Sequence, residues 1–359
     1  MRWFSVASAL LFGLMMLFPG NASASFLQTA TARDDMASRE VDRGLVMGKG
    51  WVQLSVGLSW KHSTSGFTAG DGVFNVGEGS SESWRNEGVF DYRLITHKAY
   101  WGYTRKAQIY FELPFVAATL RNELLRDDQG NMQPLNSVSL GDVRFGWRYQ
   151  WVATDKEKFR TFFATDVSAK VPTGNESPGS YLGGPANVQT IISGTGTFDL
   201  QVLLGLRQQL SVVALELWGG YVYKPSGVVQ WLIETERNQF NARVDPGDAV
   251  RLDIALAATL VRPLSLRVDF KNTYRMATRV GTSTRGIPAC DGCKTIPNSA
   301  GFWSDIRGTV QFWDINFPLG FDLYFEYTLW GRNSMALWPL EDFSPSRGFT
   351  AGGNIFARF

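Results

Sequence analysis

Residues 142–151 read DVRFGWRYQW, and every second side chain in this stretch is apolar or aromatic. In an extended strand, successive side chains point to opposite faces. One face carries Val143, Phe145, Trp147, Tyr149 and Trp151, and the other carries Arg144, Gly146, Arg148 and Gln150. A soluble β-sandwich does not need so wide an aromatic face outside its core. A membrane barrel, in contrast, turns apolar residues to lipid and polar residues to its lumen. The stretch therefore predicts a transmembrane β-strand.

The same period of two recurs along the chain, over lengths close to the ~9–11 residues that a tilted membrane strand requires. Twelve segments keep this period. An even number of strands is what single-chain bacterial barrels require. The segments are 51–60, 89–96, 106–116, 142–151, 161–171, 197–207, 212–223, 250–260, 264–270, 305–313, 319–329 and 349–359.

The connections between these segments alternate in length, which is an independent observation. Bacterial barrels have short periplasmic turns and long external loops. The connections are long at 61–88, 117–139, 172–196, 224–249, 276–304 and 330–348, and short at 97–105, 152–160, 208–211, 261–263 and 314–318. We therefore predict an all-β fold, a single closed antiparallel transmembrane β-barrel of about twelve strands, with both termini in the periplasm.

The chain begins with the features of a secretory signal peptide. Arg2 supplies a positive charge, residues 7–19 are almost wholly apolar, and small residues lead to a predicted cleavage site between Ala24 and Ser25. Residues 25–50 are polar, which predicts a periplasmic tail or a short plug-like segment before the barrel at 51–359. The apolar run of the signal is shorter than the ~20 residues of a spanning helix, and charges interrupt every later one, which excludes a helical membrane protein.

The last strand runs to the final residue, Phe359. A terminal aromatic residue that closes an alternating strand resembles the C-terminal signal by which outer-membrane barrels are recognised for insertion. We expect Phe359 to be that signal, to face lipid, and to be bound by the barrel-assembly machinery.

The composition agrees with a membrane barrel. The chain has 13 Trp, 25 Phe, 11 Tyr and 37 Gly, and aromatic residues suit interfacial girdles while glycines suit turns. Of 35 Lys+Arg and 33 Asp+Glu, only Arg2 leaves with the signal, so the mature chain has a formal charge of about +1. We therefore expect no nucleic-acid partner.

The polar strand faces predict which side chains line the lumen, because a closed barrel turns them inward. They are Asp91, Arg93, Arg144, Arg148, Asp166, Lys170, Asp199, Arg207, Glu216, Arg251, Asp253, Arg267, Asp269, Lys271, Arg307, Asp322 and Glu326. Pairing around the short connections would place Asp253 near Lys271, and Arg144 near Asp166. Such ladders could neutralise one another and fill a narrow interior, or form a polar path that tunes selectivity, and both can hold at different depths.

Cys290 and Cys293 form a Cys-x-x-Cys pair in the fifth external loop. Lys294 follows in place of His, so the haem-attachment signature fails in its usual form. A zinc site needs two further Cys or His ligands, and the chain has only His62, predicted in an external loop, and His97, predicted in a periplasmic turn. Exported cysteines meet an oxidising compartment, so a loop disulfide is favoured and no metal or other cofactor is predicted.

Candidates for catalysis are weak. His62 is followed by Ser63 and Thr64, but no orienting acid is visible nearby. Neither a Walker loop nor a dinucleotide fingerprint occurs in the chain. We expect no enzyme, and a rim hydrolase built on His62 is only the third hypothesis.

Three short motifs resemble a known family. They are SLGD at 139–142, AKVPTG at 169–174 and GTGTFD at 194–199. In these motifs the chain resembles the MetA-pathway-of-phenol-degradation outer-membrane proteins, a family that is similar in turn to the fatty-acid and hydrocarbon transporters of the outer membrane. The resemblance covers about residues 139–223 and implies uptake of small aromatic or apolar compounds.

The residues and the resemblance together predict an outer-membrane channel or diffusion transporter for small molecules. Its partners would be the lipid bilayer and a small-molecule solute. The rival hypothesis is a closed structural or adhesive barrel that binds a partner through its long external loops.

Overall fold

A computed structural model of the chain describes most of the predicted strands and part of the segments that join them. The described residues are 45–67, 73–75, 88–122, 135–156, 159–174, 197–233, 238–261, 263–282, 293–295, 300–313, 318–332 and 346–359. Within these ranges, the structure contains no helix that is long and apolar enough to cross a membrane. The predicted cleavage site at Ala24 and Ser25 lies outside them, as does Cys290.

The described part of the chain forms eighteen strands. In chain order they are β1 (Val52–Phe67), β2 (Val73–Asn75), β3 (Gly88–Gly102), β4 (Ala107–Asn122), β5 (Leu135–Leu140), β6 (Val143–Lys156), β7 (Phe159–Val171), β8 (Asp199–Leu210), β9 (Val213–Tyr223), β10 (Gly227–Ile233), β11 (Asn238–Asp245), β12 (Ala249–Val261), β13 (Leu264–Arg275), β14 (Arg279–Thr282), β15 (Lys294–Thr295), β16 (Gly301–Phe312), β17 (Leu319–Arg332) and β18 (Ser346–Arg358).

Twelve of these strands close one antiparallel barrel. Their order is β1, β3, β4, β6, β7, β8, β9, β12, β13, β16, β17 and β18, and β18 returns to pair with β1. The seam between the last and first strands runs from Gln53 opposite Arg358 to Gly66 opposite Ser346. The predicted all-β closed barrel and its number of strands are confirmed. The sequence shows them because every strand has one face toward the outside and one toward the lumen, which imposes a period of two.

The two faces of each barrel strand differ in burial. On β8, side chains are alternately buried and exposed without a break from Asp199 to Arg207. Leu204 of this strand is 51% exposed, whereas Arg207 is 1% exposed. The exposed apolar side chains of all twelve strands form a band around the outside, which is the surface that lipid acyl chains require. The buried faces are polar and point into the barrel.

The connections have different lengths at the two ends of the barrel. At one end, here called the turn end, β3 is joined to β4 by residues 103–106, and β8 to β9 by 211–212. Ser211 has a φ of 53°, a left-handed conformation that suits so tight a hairpin. Phe359 also lies at the turn end, where its backbone pairs with Val52. The other end, the loop end, carries the long connections, so the predicted alternation of lengths is observed.

A second sheet at the loop end was not predicted. It contains β10, β11, β14 and β15 in this order. The predicted connections 224–249 and 276–304 each contribute two strands to it. Strand β11 pairs with β14 from Ala242 opposite Thr282 to Asp245 opposite Arg279. The sequences of these strands lack the clean alternation that identified the barrel strands.

A bulge interrupts the strand that pairs with β4. β5 pairs with β4 up to Phe115 opposite Leu140, and β6 resumes at Glu112 opposite Arg144. Between them the Gly141 amide donates to the Pro114 carbonyl at 2.8 Å. Added residues of this kind bend a strand and increase its local twist.

Candidate pore and its lining

The strand register shows where each predicted lumen residue lies. Residues directly opposite each other in an antiparallel pair share one face. Apart from Arg93, the described residues of the predicted set lie on the inward face of the barrel: Arg144, Arg148, Asp166, Lys170, Asp199, Arg207, Glu216, Arg251, Asp253, Arg267, Asp269, Lys271, Arg307, Asp322 and Glu326. The side chain of Asp91 is outside the described part of the chain.

The prediction that Arg93 lines the lumen is wrong, because its side chain lies on the outward face. It is opposite Trp60, whose side chain is 39% exposed on the outside of the barrel. The predicted segment 89–96 was too short to determine the phase of β3, which Ile95 and Trp101 establish further along the strand. Near the loop end, an outward arginine can extend its guanidinium toward lipid headgroups. Arg93 therefore does not line the pore.

One predicted cross-strand pair is also wrong. Arg144 is opposite Lys170, not Asp166. The carboxylate of Asp166 instead accepts from the Arg148 guanidinium at 2.8 Å. Strands β6 and β7 extend further than predicted, so that residues 157–158 alone join them, and the register follows this shorter connection. The other predicted pair, Asp253 opposite Lys271, is confirmed.

Inward charges are joined into small networks rather than simple pairs. Glu216 accepts from Arg207 at 3.0 Å and from Arg267 at 3.3 Å. Glu326 likewise accepts from Lys271 at 2.5 Å and from Arg307 at 2.7 Å. In both places two cations share one carboxylate.

The described parts of the three resemblance motifs meet at the loop end. The Thr173 hydroxyl donates to the Gly141 carbonyl at 2.9 Å and accepts from the Val143 amide at 3.0 Å. Lys170 lies 2.7 Å from Asp199 and 3.7 Å from Asp142. These contacts hold the bulge beside β7 and β8, which is an architectural role.

Residues 45–50 enter the barrel at the turn end. The amide of Leu45 donates to Gln150 at 2.9 Å, and the amide of Met47 donates to Gln108 at 2.7 Å. Arg148 donates to the Leu45 carbonyl at 3.1 Å. Sequence reasoning left these residues as a tail or a plug-like segment, and the described part lies in the mouth of the barrel. The apolar run Leu45–Met47, directly before a strand and inside a polar stretch, was the available signal.

An apolar cluster holds the tip of this segment against one side of the wall. Leu45 packs with Phe162, Ala164, Leu203 and Trp218, and all five are at least nine-tenths buried. Leu203 is an apolar residue on the otherwise mainly polar inward face of β8, and this contact accounts for it. The segment therefore occupies the side of the lumen formed by β4 and β6–β9.

The opposite side of the lumen contains a chamber of about 340 Å³. Strands β13, β16, β17, β18, β1 and β3 form its wall. Sequence reasoning missed two of its cations, because Lys98 fell within a predicted connection and Arg358 stands beside the terminal Phe359. Its charged and aromatic lining consists of Lys98, Tyr100, Arg267, Asp269, Lys271, Arg307, Asp322, Tyr324, Phe356 and Arg358.

Neither histidine is where the sequence analysis placed it. His62 lies within β1, not in an external loop, and its ring is 5.7 Å from those of Trp60 and Phe349. His97 lies within β3, not in a turn, and its ring meets Phe115 edge-on at 5.5 Å. Both strands are longer than predicted. In the described ranges, no three His, Cys, Asp or Glu side chains form a group that could hold a metal ion.

Cys293 is disulfide-bonded, while Cys290, its predicted partner, falls outside the described residues. At the other end of the chain, Phe359 has the outward parity of β18 and exchanges two backbone hydrogen bonds with Val52, at 2.9 and 3.0 Å. Its role as an insertion signal stays a prediction.

A closed barrel with an apolar outer band and a charged interior defines the class of protein as an outer-membrane β-barrel. No protein-family model matches the chain, and no curated protein matches it. The MetA-pathway resemblance therefore stays a prediction.

Solved structures share the fold. An outer membrane channel from Pseudomonas putida F1 is 12% identical, with a TM-score of 0.62, over 89% of this chain and 100% of that one. The Ralstonia pickettii toluene transporter TbuX is 13% identical with a TM-score of 0.45, over 90% and 94%. A mutant of the monoaromatic hydrocarbon channel TodX is 11% identical with a TM-score of 0.43, over 87% and 90%. At 12% identity, the likeness to the Pseudomonas putida channel shows the fold alone.

Proposed function

We propose that the protein is a passive outer-membrane channel for small molecules, with its turn end and both termini in the periplasm. The observation that carries the proposal is a polar chamber inside a closed barrel whose outside is apolar. The structural neighbour from Pseudomonas putida is itself an outer membrane channel, which supports it. Small apolar or aromatic compounds are the solute class that the sequence motifs favour.

Solute would cross the barrel beside residues 45–50, along the side of the lumen that contains the chamber. The segment narrows the turn end, so passage selects small solutes. Opposite charges fill much of the remaining wall, and water in the gaps would hydrate a polar solute.

Purified protein in planar bilayers and in vesicles tests this function. We expect discrete conductance steps and influx of small solutes, with flux falling steeply as solute size increases. Vesicles without protein are the control for leakage. A correctly folded barrel that gave neither conductance nor solute flux would falsify the proposal.

A second candidate is a closed adhesive barrel, and the sheet of β10, β11, β14 and β15 favours it. This sheet gives the loop end a folded surface that could bind a partner. Shortening 224–249 and 276–304 separates the two functions. A channel keeps its flux in the shortened variant, whereas an adhesive barrel shows no flux and loses surface binding.

A further inference from the structure

The charged side chains that line the chamber are mainly cationic, although Lys98, Arg267, Lys271 and Arg307 each lie 2.5–2.9 Å from a carboxylate. Five cationic side chains and two carboxylates line the chamber. The cations are Lys98, Arg267, Lys271, Arg307 and Arg358, and the carboxylates are Asp269 and Asp322.

Lys271 and Arg307 share one carboxylate, so some of their N–H groups remain available to a solute. Lys271 Nζ and Arg307 Nε both donate to the same oxygen, Oε2 of Glu326. An ammonium group has three donors and a guanidinium has five. The side chains of Lys271 and Arg307 are 25% and 30% exposed, so these donors reach the chamber. An oxyanion in the chamber would therefore complete their hydrogen bonding.

Aromatic rings lie beside the same cations. The Arg307 guanidinium is 4.2 Å from the ring centroid of Tyr324, and that of Arg358 is 4.9 Å from the ring of Phe356. Tyr324, Phe356 and Tyr100 all line the chamber. Rings of this kind pack against a planar aromatic solute in offset or edge-on contacts.

The volume of the chamber limits the size of the solute that it can hold. About 340 Å³ lies at the lower end of the ~300–1,000 Å³ usual for small-molecule sites. A single substituted ring fits this volume, whereas a long acyl chain would have to extend beyond it.

We propose that the chamber is a transient binding site for small aromatic carboxylates, and that it makes the channel favour these anions over neutral solutes of equal size. Lys271 and Arg307 bind the carboxylate by charge-assisted hydrogen bonds, and Tyr324 contacts the ring. The inference rests on the proposed channel function and names its solute class.

Vesicle flux of three solutes of nearly equal size tests the inference: benzoate, neutral benzamide and cationic benzylammonium. We expect benzoate to pass about tenfold faster than benzamide, which is the size of one charge-assisted hydrogen bond, and benzylammonium to pass most slowly. Lys271→Gln and Arg307→Gln, each leaving one cation on Glu326, should bring the ratio of benzoate to benzamide flux close to one. Arg93→Gln removes the same charge from the outward face and should leave the ratio unchanged.

A second measurement uses the unaltered protein and so does not depend on whether the variants fold. Benzoate added to a planar bilayer should interrupt the chloride current in a concentration-dependent way, and benzamide should not. Absence of all flux and conductance contradicts the channel itself. Equal benzoate and benzamide flux without benzoate block contradicts only the inference, as does faster passage of benzylammonium.

Discussion

At the scale of single residues, the inward charges are arranged around a few carboxylates. Glu216 and Glu326 each serve two cations, and the Trp218 indole donates to Glu216 at 2.6 Å. A carboxylate that accepts from several donors fixes the side chains around it, because each donor would otherwise be left without a partner in a confined space. The lumen wall is therefore held in place mainly by acids, although more cations than carboxylates line the chamber.

Glu326→Gln should destabilise the barrel by about 1–3 kcal/mol, because it removes the charge that Lys271 and Arg307 share while these cations stay partly buried. The midpoint of urea unfolding from detergent or lipid measures the change. Asp322→Asn removes one carboxylate from the same strand and serves as a comparison for general effects of charge. An unchanged midpoint for Glu326→Gln would show that the two cations are adequately hydrated.

Gly102 lies directly against the N-terminal segment. A Cβ at this position would lie 2.9 Å from the Met47 carbonyl oxygen and 3.0 Å from the Gly48 carbonyl carbon. Backbone atoms cannot move aside as a flexible side chain can, so Gly102→Ala should displace residues 45–50 from the mouth and increase single-channel conductance.

The control for this substitution is Gly308→Ala, since a Cβ at Gly308 meets no atom within 4 Å. Its conductance should equal that of the unaltered protein. If Gly102→Ala also conducts normally in a folded barrel, then residues 45–50 do not limit the path.

At the scale of the strand, the reliability of sequence reasoning depended on the length of uninterrupted alternation. Strand β8 could be placed and phased because Leu200, Val202, Leu204 and Leu206 all face outward. Strand β3 could be placed but not phased, since Arg93 and His97 interrupt its outward face with polar groups. The Arg148–Asp166 pair could not be predicted, because register depends on the length of the connection, which periodicity does not give.

The bulge between β5 and β6 depends on one hydroxyl group. Thr173→Val keeps the shape of the side chain but removes the hydrogen bonds to Gly141 and Val143, and the cost should be about 1–2 kcal/mol of unfolding free energy. Thr273→Val, near the end of β13, is the matched control. Equal urea midpoints for the two variants would mean that the Thr173 contacts are dispensable.

At the scale of the whole molecule, the closed barrel could be predicted because its two faces meet different surroundings along every strand. The sheet of β10, β11, β14 and β15 could not, because no such contrast marks its strands. The chamber could be predicted only in part. Its charges were readable from strand parity, but the space between them depends on where residues 45–50 lie, and that position comes from tertiary packing.

We expect Phe359 to act on assembly of the whole barrel. Deleting Phe359 removes its two backbone hydrogen bonds to Val52 and the terminal aromatic side chain, so we expect a lower yield of inserted protein. Heat-modifiable mobility of the membrane fraction on gels measures the yield. Molecules that do insert should keep their ratio of benzoate to benzamide flux, because Phe359 lies outside the chamber. Normal insertion after the deletion would contradict the assigned role.

The seam between β1 and β18 joins the most distant parts of the sequence: Arg358 donates to Gln53 across a separation of 305 residues. Contacts at such a separation form most slowly, since the chain loses conformational entropy before the new contacts stabilise it. Hairpins such as β8–β9 form locally and early. Leu45 and Met47 bind to β4 and β6, which are much nearer in sequence, so the segment in the mouth can dock while the cylinder is still an open sheet. We therefore expect residues 45–50 to reach the mouth through the order of assembly, and not by threading through a finished ring.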